Sequence, residues 1–127
     1  MTIKLYEAVT LHNLFAKFQN LRLPFKTSHK IALMSNELST HYSFYETKFR
    51  ELIDEYGRKD EEGNLMPTPD GKGILLIESK TIEATNKMTE LSDVEVVLKD
   101  YQFSVDDFGD TEMTPAEMNA LLPFISE

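Results

Sequence analysis

The feature that most constrains this chain is a run of apolar and aromatic residues: Ile31, Met34, Leu38, Tyr42, Tyr45, Phe49, Leu52 and Tyr56, spaced 3, 4, 4, 3, 4, 3 and 4 apart. An α-helix returns to the same face every three or four residues, so all of them fall on one stripe. An eleven-residue step followed by two heptads keeps that stripe nearly straight and then lets it supercoil left-handedly. Thr27 or Ser28 can open the helix as N-cap, and Gly57 is a good C-terminal stop. The spacing therefore predicts one helix from Lys26 or Thr27 to Tyr56, about 45 Å long at ~1.5 Å per residue.

A shorter helix precedes it. Leu5, Val9, Leu14 and Phe18 recur near helical spacing, with Leu11, Phe15 and Leu21 widening the stripe, which predicts a helix from Leu5 to Asn20. Leu23-Pro24 ends it, because the residue before a proline is pushed out of helical geometry. A helix about half as long cannot cover the whole stripe of its neighbour, so part of that seam is expected to need another partner.

Residues 57–73 read as loop and tight turn, with Asp70-Gly71 as a hairpin signal and Ile74–Ile77 as a buried strand after it. Ser79 can cap a short helix to about Leu91, with Ile82, Met88 and Leu91 facing inward. Val94, Val96 and Leu98 form a second strand candidate, with the alternating Tyr101, Phe103 and Val105 as its continuation or a third short strand. Thr114-Pro115-Ala116-Glu117 is a capping box with proline at the first helical position, followed by Met118, Leu121 and Leu122. Pro123 stops that helix, and Phe124-Ile125 extend its apolar face toward the small β element at 94–105. The fold class is α+β, mostly α, in a single domain spanning 1–127. An N-terminal helical hairpin (1–57) with one long helix leads through a loop (58–73) to a small β element with two short helices (74–127).

Composition narrows the function. The chain has no cysteine, which excludes a disulfide framework and a thiolate metal site. Its longest strongly apolar run, Ile74–Ile77, falls far short of the ~20 residues of a membrane helix. Met1-Thr2-Ile3-Lys4 leads into an amphipathic segment, so no signal core or membrane partner is expected. The net charge of −9 argues against nucleic acid, whose binders are net basic. Residues 1–50 carry seven Lys/Arg and three Asp/Glu (+4), whereas residues 51–127 carry six and nineteen (−13). A basic front and an acidic back can attract each other within a chain or between copies.

No constellation carries chemistry. His12, His29 and His41 form no HxxxH pair, so metal spacing is missing. The acidic loop Asp106–Glu112 lacks the ligand order of an EF-hand, and a solvated loop beside a helix N-terminus explains it. Asp70-Gly71-Lys72-Gly73 lacks phosphate-loop spacing, and Glu51, Asp54 and Glu55 crowd one helical turn without a reason for burial. We therefore expect no enzyme activity, no catalytic residue, no cofactor and no metal. The aromatic stripe is different. Its intervening residues Ser39, Thr40, His41, Ser43 and Thr47 are polar but uncharged, and interfaces favour tyrosine and phenylalanine over lysine and glutamate. Leu38, Tyr42, Phe44, Tyr45, Phe49, Leu52 and Tyr56 are the candidate interface residues, some of which can instead serve the core.

Three stretches together carry a resemblance. Leu23-Pro24-Phe25-Lys26-Thr27-Ser28-His29-Lys30 opens the long helix, residues 49–64 (Phe49-Arg50-Glu51-Leu52 onward to Gly63-Asn64) close it, and residues 114–125 end the chain. In order and spacing they resemble a family of small bacteriophage-encoded proteins of unknown function. This chain departs from that pattern at residues 39–45, where the family's helix is usually rich in Lys and Glu. The family's place among late genes implies a non-catalytic structural or assembly role, such as a small head, connector or tail component. The partners so implied are other virion proteins or copies of the chain itself, in the host cytoplasm during assembly and then in the virion. The alternative is a phage-encoded inhibitor of a host defence protein that uses its acidic surface.

Overall fold

In a computed structural model, which describes residues 1–126, the chain is α+β and mostly α. It contains a two-stranded sheet of β1 (Thr2–Lys4) and β2 (Glu95–Val97), with helices α1 (Leu5–Lys17), α2 (Phe25–Tyr56), α3 (Thr81–Ser92) and α4 (Pro115–Leu121). Two compact units divide it. A terminal unit joins Met1–Ser43 to Glu95–Glu127, and a middle unit is Phe44–Val94. The boundary falls inside α2, ahead of the helix end at Tyr56, where the long helix stops before Gly57 as expected. The partition also redistributes charge. The terminal unit has six Lys/Arg against ten Asp/Glu (−4) and the middle unit seven against twelve (−5), so the basic front and acidic back of the sequence do not survive as separate bodies.

In the terminal unit, β1 and β2 run antiparallel with Thr2 opposite Val97, Ile3 opposite Val96 and Lys4 opposite Glu95. β1 is not legible in the sequence because one alternation over three residues is too short to mark a strand, and its partner lies more than ninety positions away. α1 stops at Lys17 instead of Asn20, with Phe18 as its C-cap. It buries Leu5, Ala8, Leu11, Leu14 and Phe15, and α2 contributes Ile31, Met34 and Leu38 to the core. Rings link the elements: Phe18 meets Phe15 and Phe108, each with centroids 5.8 Å apart, and Phe108 meets Phe103 at 5.4 Å. Glu37 of α2 fastens the segment after β2, accepting the Lys99 N–H at 3.0 Å and the Tyr101 hydroxyl at 2.6 Å. Burial, then the Glu37 carboxylate, pushes the Tyr101 phenol up to about 12.

The chain end closes the terminal unit as expected. Thr114 caps α4, its hydroxyl accepting the Glu117 N–H at 3.1 Å while the Glu117 carboxylate accepts the Thr114 N–H at 3.0 Å. Leu121 and Phe124 are buried, and Phe103 forms a parallel bridge to Ile125, donating to the Phe124 carbonyl at 2.7 Å. Leu122 and Val105 point outward, against expectation. Leu122 already belongs to the 3-10 turn that Pro123 imposes, and Val105 to another at Val105–Phe108, so neither keeps the register of the segment before it.

In the middle unit, residues 57–77 form a meander without a continuous strand. Isolated antiparallel bridges join Gly57 to Leu76, Lys59 to Leu65 and Pro67 to Ile74. The strand expected at Ile74–Ile77 is therefore a series of single pairings, because the segment changes partner within four residues, from Pro67 opposite Ile74 to Gly57 opposite Leu76. Gly71 makes the expected turn with φ 71°, and the Asp70 carboxylate accepts the Lys72 N–H at 3.0 Å. α3 starts at Thr81 because Ser79 lies in a preceding 3-10 turn, Glu78–Lys80. Ala84 and Leu91 face inward; Ile82, expected there, is 80% exposed. Ile82 lies nine residues before Leu91, about two and a half turns, and so falls on the face opposite Ala84 and Leu91.

Candidate interaction surface

α2 begins at Phe25, not Lys26 or Thr27, because the Pro24 carbonyl accepts the Ser28 N–H at 3.0 Å and already closes the first helical turn. Thr27, expected as a cap, is instead buried, and the Ser28 hydroxyl donates to the Leu23 carbonyl at 3.4 Å. From there the stripe separates into buried and open parts. Leu38 is fully buried in the terminal unit and Tyr56 is 2% exposed in the middle unit, so neither offers a surface to a partner. Tyr42 is half-buried beneath His12 of α1, their rings stacked 4.1 Å apart at 14°.

Phe44, Tyr45, Phe49 and Leu52 lie in the middle unit. Phe44 is 46% and Phe49 36% exposed, while Tyr45 and Leu52 are half-buried. Tyr45 and Phe49 stack at 5.8 Å and 15°, as neighbours one helical turn apart do. The Lys48 amine stands 6.0 Å above the Phe44 ring. Helix α3 lies beside this part of α2, leaving a shallow groove of about 270 Å³. Phe44, Leu52, Leu91 and Val94 supply its apolar lining. Two exposed ion pairs stand on its rim, Lys48 with Glu51 at 3.3 Å and Lys87 with Glu90 at 3.5 Å, and Glu55 adds a further carboxylate. Leu91 and Val94 were read as inward-facing helix and strand residues. Their place on a shared surface depends on how α3 returns to α2, which no local pattern records.

Two of the other sequence candidates already have partners within the chain. Asp107 of the acidic loop accepts the Ser104 N–H at 2.8 Å and so caps the turn beneath it. Glu51 is engaged by Lys48. Among the described residues, no three His, Asp or Glu side chains gather as a metal site would require. No helix among them is long and apolar enough to cross a membrane.

No protein-family model, curated protein or solved structure matches the chain. Its function has to be argued from the surface it presents. Large rings on a helix, open to solvent and bordered by weakly paired charges, suit a surface that is covered part of the time.

Proposed function

We propose that the chain is a non-catalytic bacteriophage structural or assembly protein, a small head, connector or tail component. It works through contacts of its long helix with copies of itself or with a larger virion protein. The supporting observation is the exposed Phe44 ring, which with Leu52 lines the α3 groove, while Phe49 adds open aromatic area on the meander side of the same helix. Aromatic side chains on a rigid element lose little freedom on docking, so such area converts well into affinity. The phage assignment itself comes from the resemblance in residues 23–30, 49–64 and 114–125.

Mass spectrometry of purified particles of the phage that encodes the chain tests this reading. The chain is expected in the virion, or in its precursor if it acts only during assembly. Absence from both, together with capture of a host defence protein by the tagged chain, would replace the proposal with the inhibitor reading.

A further inference from the structure

The most exposed aromatic ring in the chain is not beside that groove. Phe25, at the first position of α2, is 88% exposed, and Leu21 beside it in the α1–α2 connection is 41% exposed. Arg22 and Lys26 flank them. No Asp or Glu occurs between Glu7 and Glu37, a stretch holding Lys17, Arg22, Lys26 and Lys30 in a chain of net charge −9. Lys17 is paired with Glu117, and Lys30 donates to the Gln102 carbonyl. Arg22 and Lys26 make no ion pair among the described residues, even though Phe108 of the acidic loop packs on nearby Phe18. The connection is thus an apolar knob between two uncommitted cations.

The α2–α3 groove of the middle unit offers the complement: an apolar floor with Glu51, Glu55 and Glu90 at its edge. Two of those carboxylates are held only by exposed lysines, and such surface pairs are weak enough to exchange partners. We infer that the Leu21–Lys26 connection of one copy docks in the α2–α3 groove of a second copy, Phe25 on the apolar floor and Arg22 and Lys26 against the rim glutamates. This rests on reading the groove that Phe44 and Leu52 line as a contact surface, and it names the occupant. Knob and groove are different surfaces, so the contact is heterologous: every added copy leaves one free knob and one free groove, and copies build a row or close a ring.

Two variants of the full chain test it. One replaces the knob (Arg22→Glu, Phe25→Ser, Lys26→Glu), and the other reverses the rim (Glu51→Lys, Glu55→Lys). All five positions are exposed, so both variants should keep the wild-type melting temperature. Light scattering from about 10 µM to about 1 mM, the range for weak protein contacts, should show wild-type mass rising with concentration, and less so at high salt. Each variant alone should stay monomeric, its self-affinity lowered by at least about tenfold. Mixed, the intact groove of one should accept the intact knob of the other, giving a heterodimer that grows no further. A wild type that is monomeric throughout, or a mixture that stays monomeric while both variants remain folded, overturns the inference. A wild type that associates undiminished in both variants also overturns it, and leaves the virion assay to decide the broader reading.

Discussion

The two units hold their share of the chain in different ways. Among the described residues, twenty hydrophobic side chains are buried; seventeen belong to the terminal unit and only Tyr56, Ala84 and Leu91 to the middle unit. The terminal unit has a centre, with Phe15, Met34, Leu38, Phe103, Leu121 and Phe124 almost wholly out of water. In the middle unit Leu52, Ile53, Leu65 and the whole of Ile74–Ile77 stop at half-burial. Its backbone is tied by single bridges instead, among them Arg58 N–H to the Leu75 carbonyl at 2.7 Å and Ile77 N–H to the Tyr56 carbonyl at 2.8 Å. Burial of apolar area is the dominant favourable term in folding, and scattered backbone bonds add little net stability. The middle unit should therefore be the softer one, and it is also where the docking groove lies. A surface completed by a second molecule has less need of a finished core of its own.

The largest test of this contrast is truncation of a central ring. Phe103→Ala should cost about 3–5 kcal/mol, because the ring is 1% exposed and packed on Phe108, so its removal leaves a cavity. Leu65→Ala in the middle unit, half-buried to begin with, should cost only about 1 kcal/mol. Urea denaturation compares them, and equal losses would break the contrast. Native-state hydrogen exchange sharpens it further: the Leu75 and Ile77 amides should exchange faster than those of Leu98 and Phe103, as sub-global opening of the weaker unit requires.

A second, smaller effect concerns a tight place in the soft unit. A Cβ on Gly57 would stand 2.4 Å from the Ile53 carbonyl oxygen and 2.6 Å from a methyl of Leu65. The leucine can shift; the carbonyl belongs to the last turn of α2 and cannot. Gly57→Ala should therefore destabilise by about 1–3 kcal/mol through overpacking, with the loss confined to the middle unit's exchange rates. An unchanged melting temperature would mean that the α2–meander junction is looser than its geometry.

These residues also show what was legible in advance. The helix stripe, the Gly57 stop, the Asp70-Gly71 turn and the Thr114 capping box are local patterns, readable because each is completed within a turn or two of chain. What could not be read depends on return paths. β1 acquires its strand character from β2, and Ile74–Ile77 divides its pairing between Pro67 and Gly57. Which face of α3 is covered is likewise set by its neighbours, and Ile82 lies opposite the buried Ala84 and Leu91. The candidate surface was read in part. The stripe was found, but periodicity marks a face without saying what covers it, so Leu38 and Tyr56 were grouped with Phe44 and Phe49. Phe25 precedes the stripe, at a position that marks only the approach to a helix, so periodicity gives no reason to single it out.

The smallest expected effect concerns the terminal unit's one helix held by its cap more than by its length. Helix α4 has seven residues, too few to be stable alone, so its start depends on the reciprocal Thr114–Glu117 bonds. Thr114→Ala should cost about 1 kcal/mol. The Thr114 N–H first, and the Lys17 amine second, hold the Glu117 carboxyl below the ordinary glutamate value. A carboxyl lowered by folding stabilises above its unfolded pKa, and that contribution is lost as pH falls through the folded one. Thr114→Ala removes the hydroxyl but keeps the N–H that binds the carboxylate, so its cost should be nearly the same at neutral and at mildly acidic pH. Glu117→Gln should do the reverse, flattening the acid limb of the stability curve while the Thr114 hydroxyl still caps the helix. Thermal melts of both variants across that range separate the two halves of the box. If Glu117→Gln left the acid limb as steep as in the wild type, the carboxylate would be contributing nothing there, and the cap would rest on the hydroxyl alone.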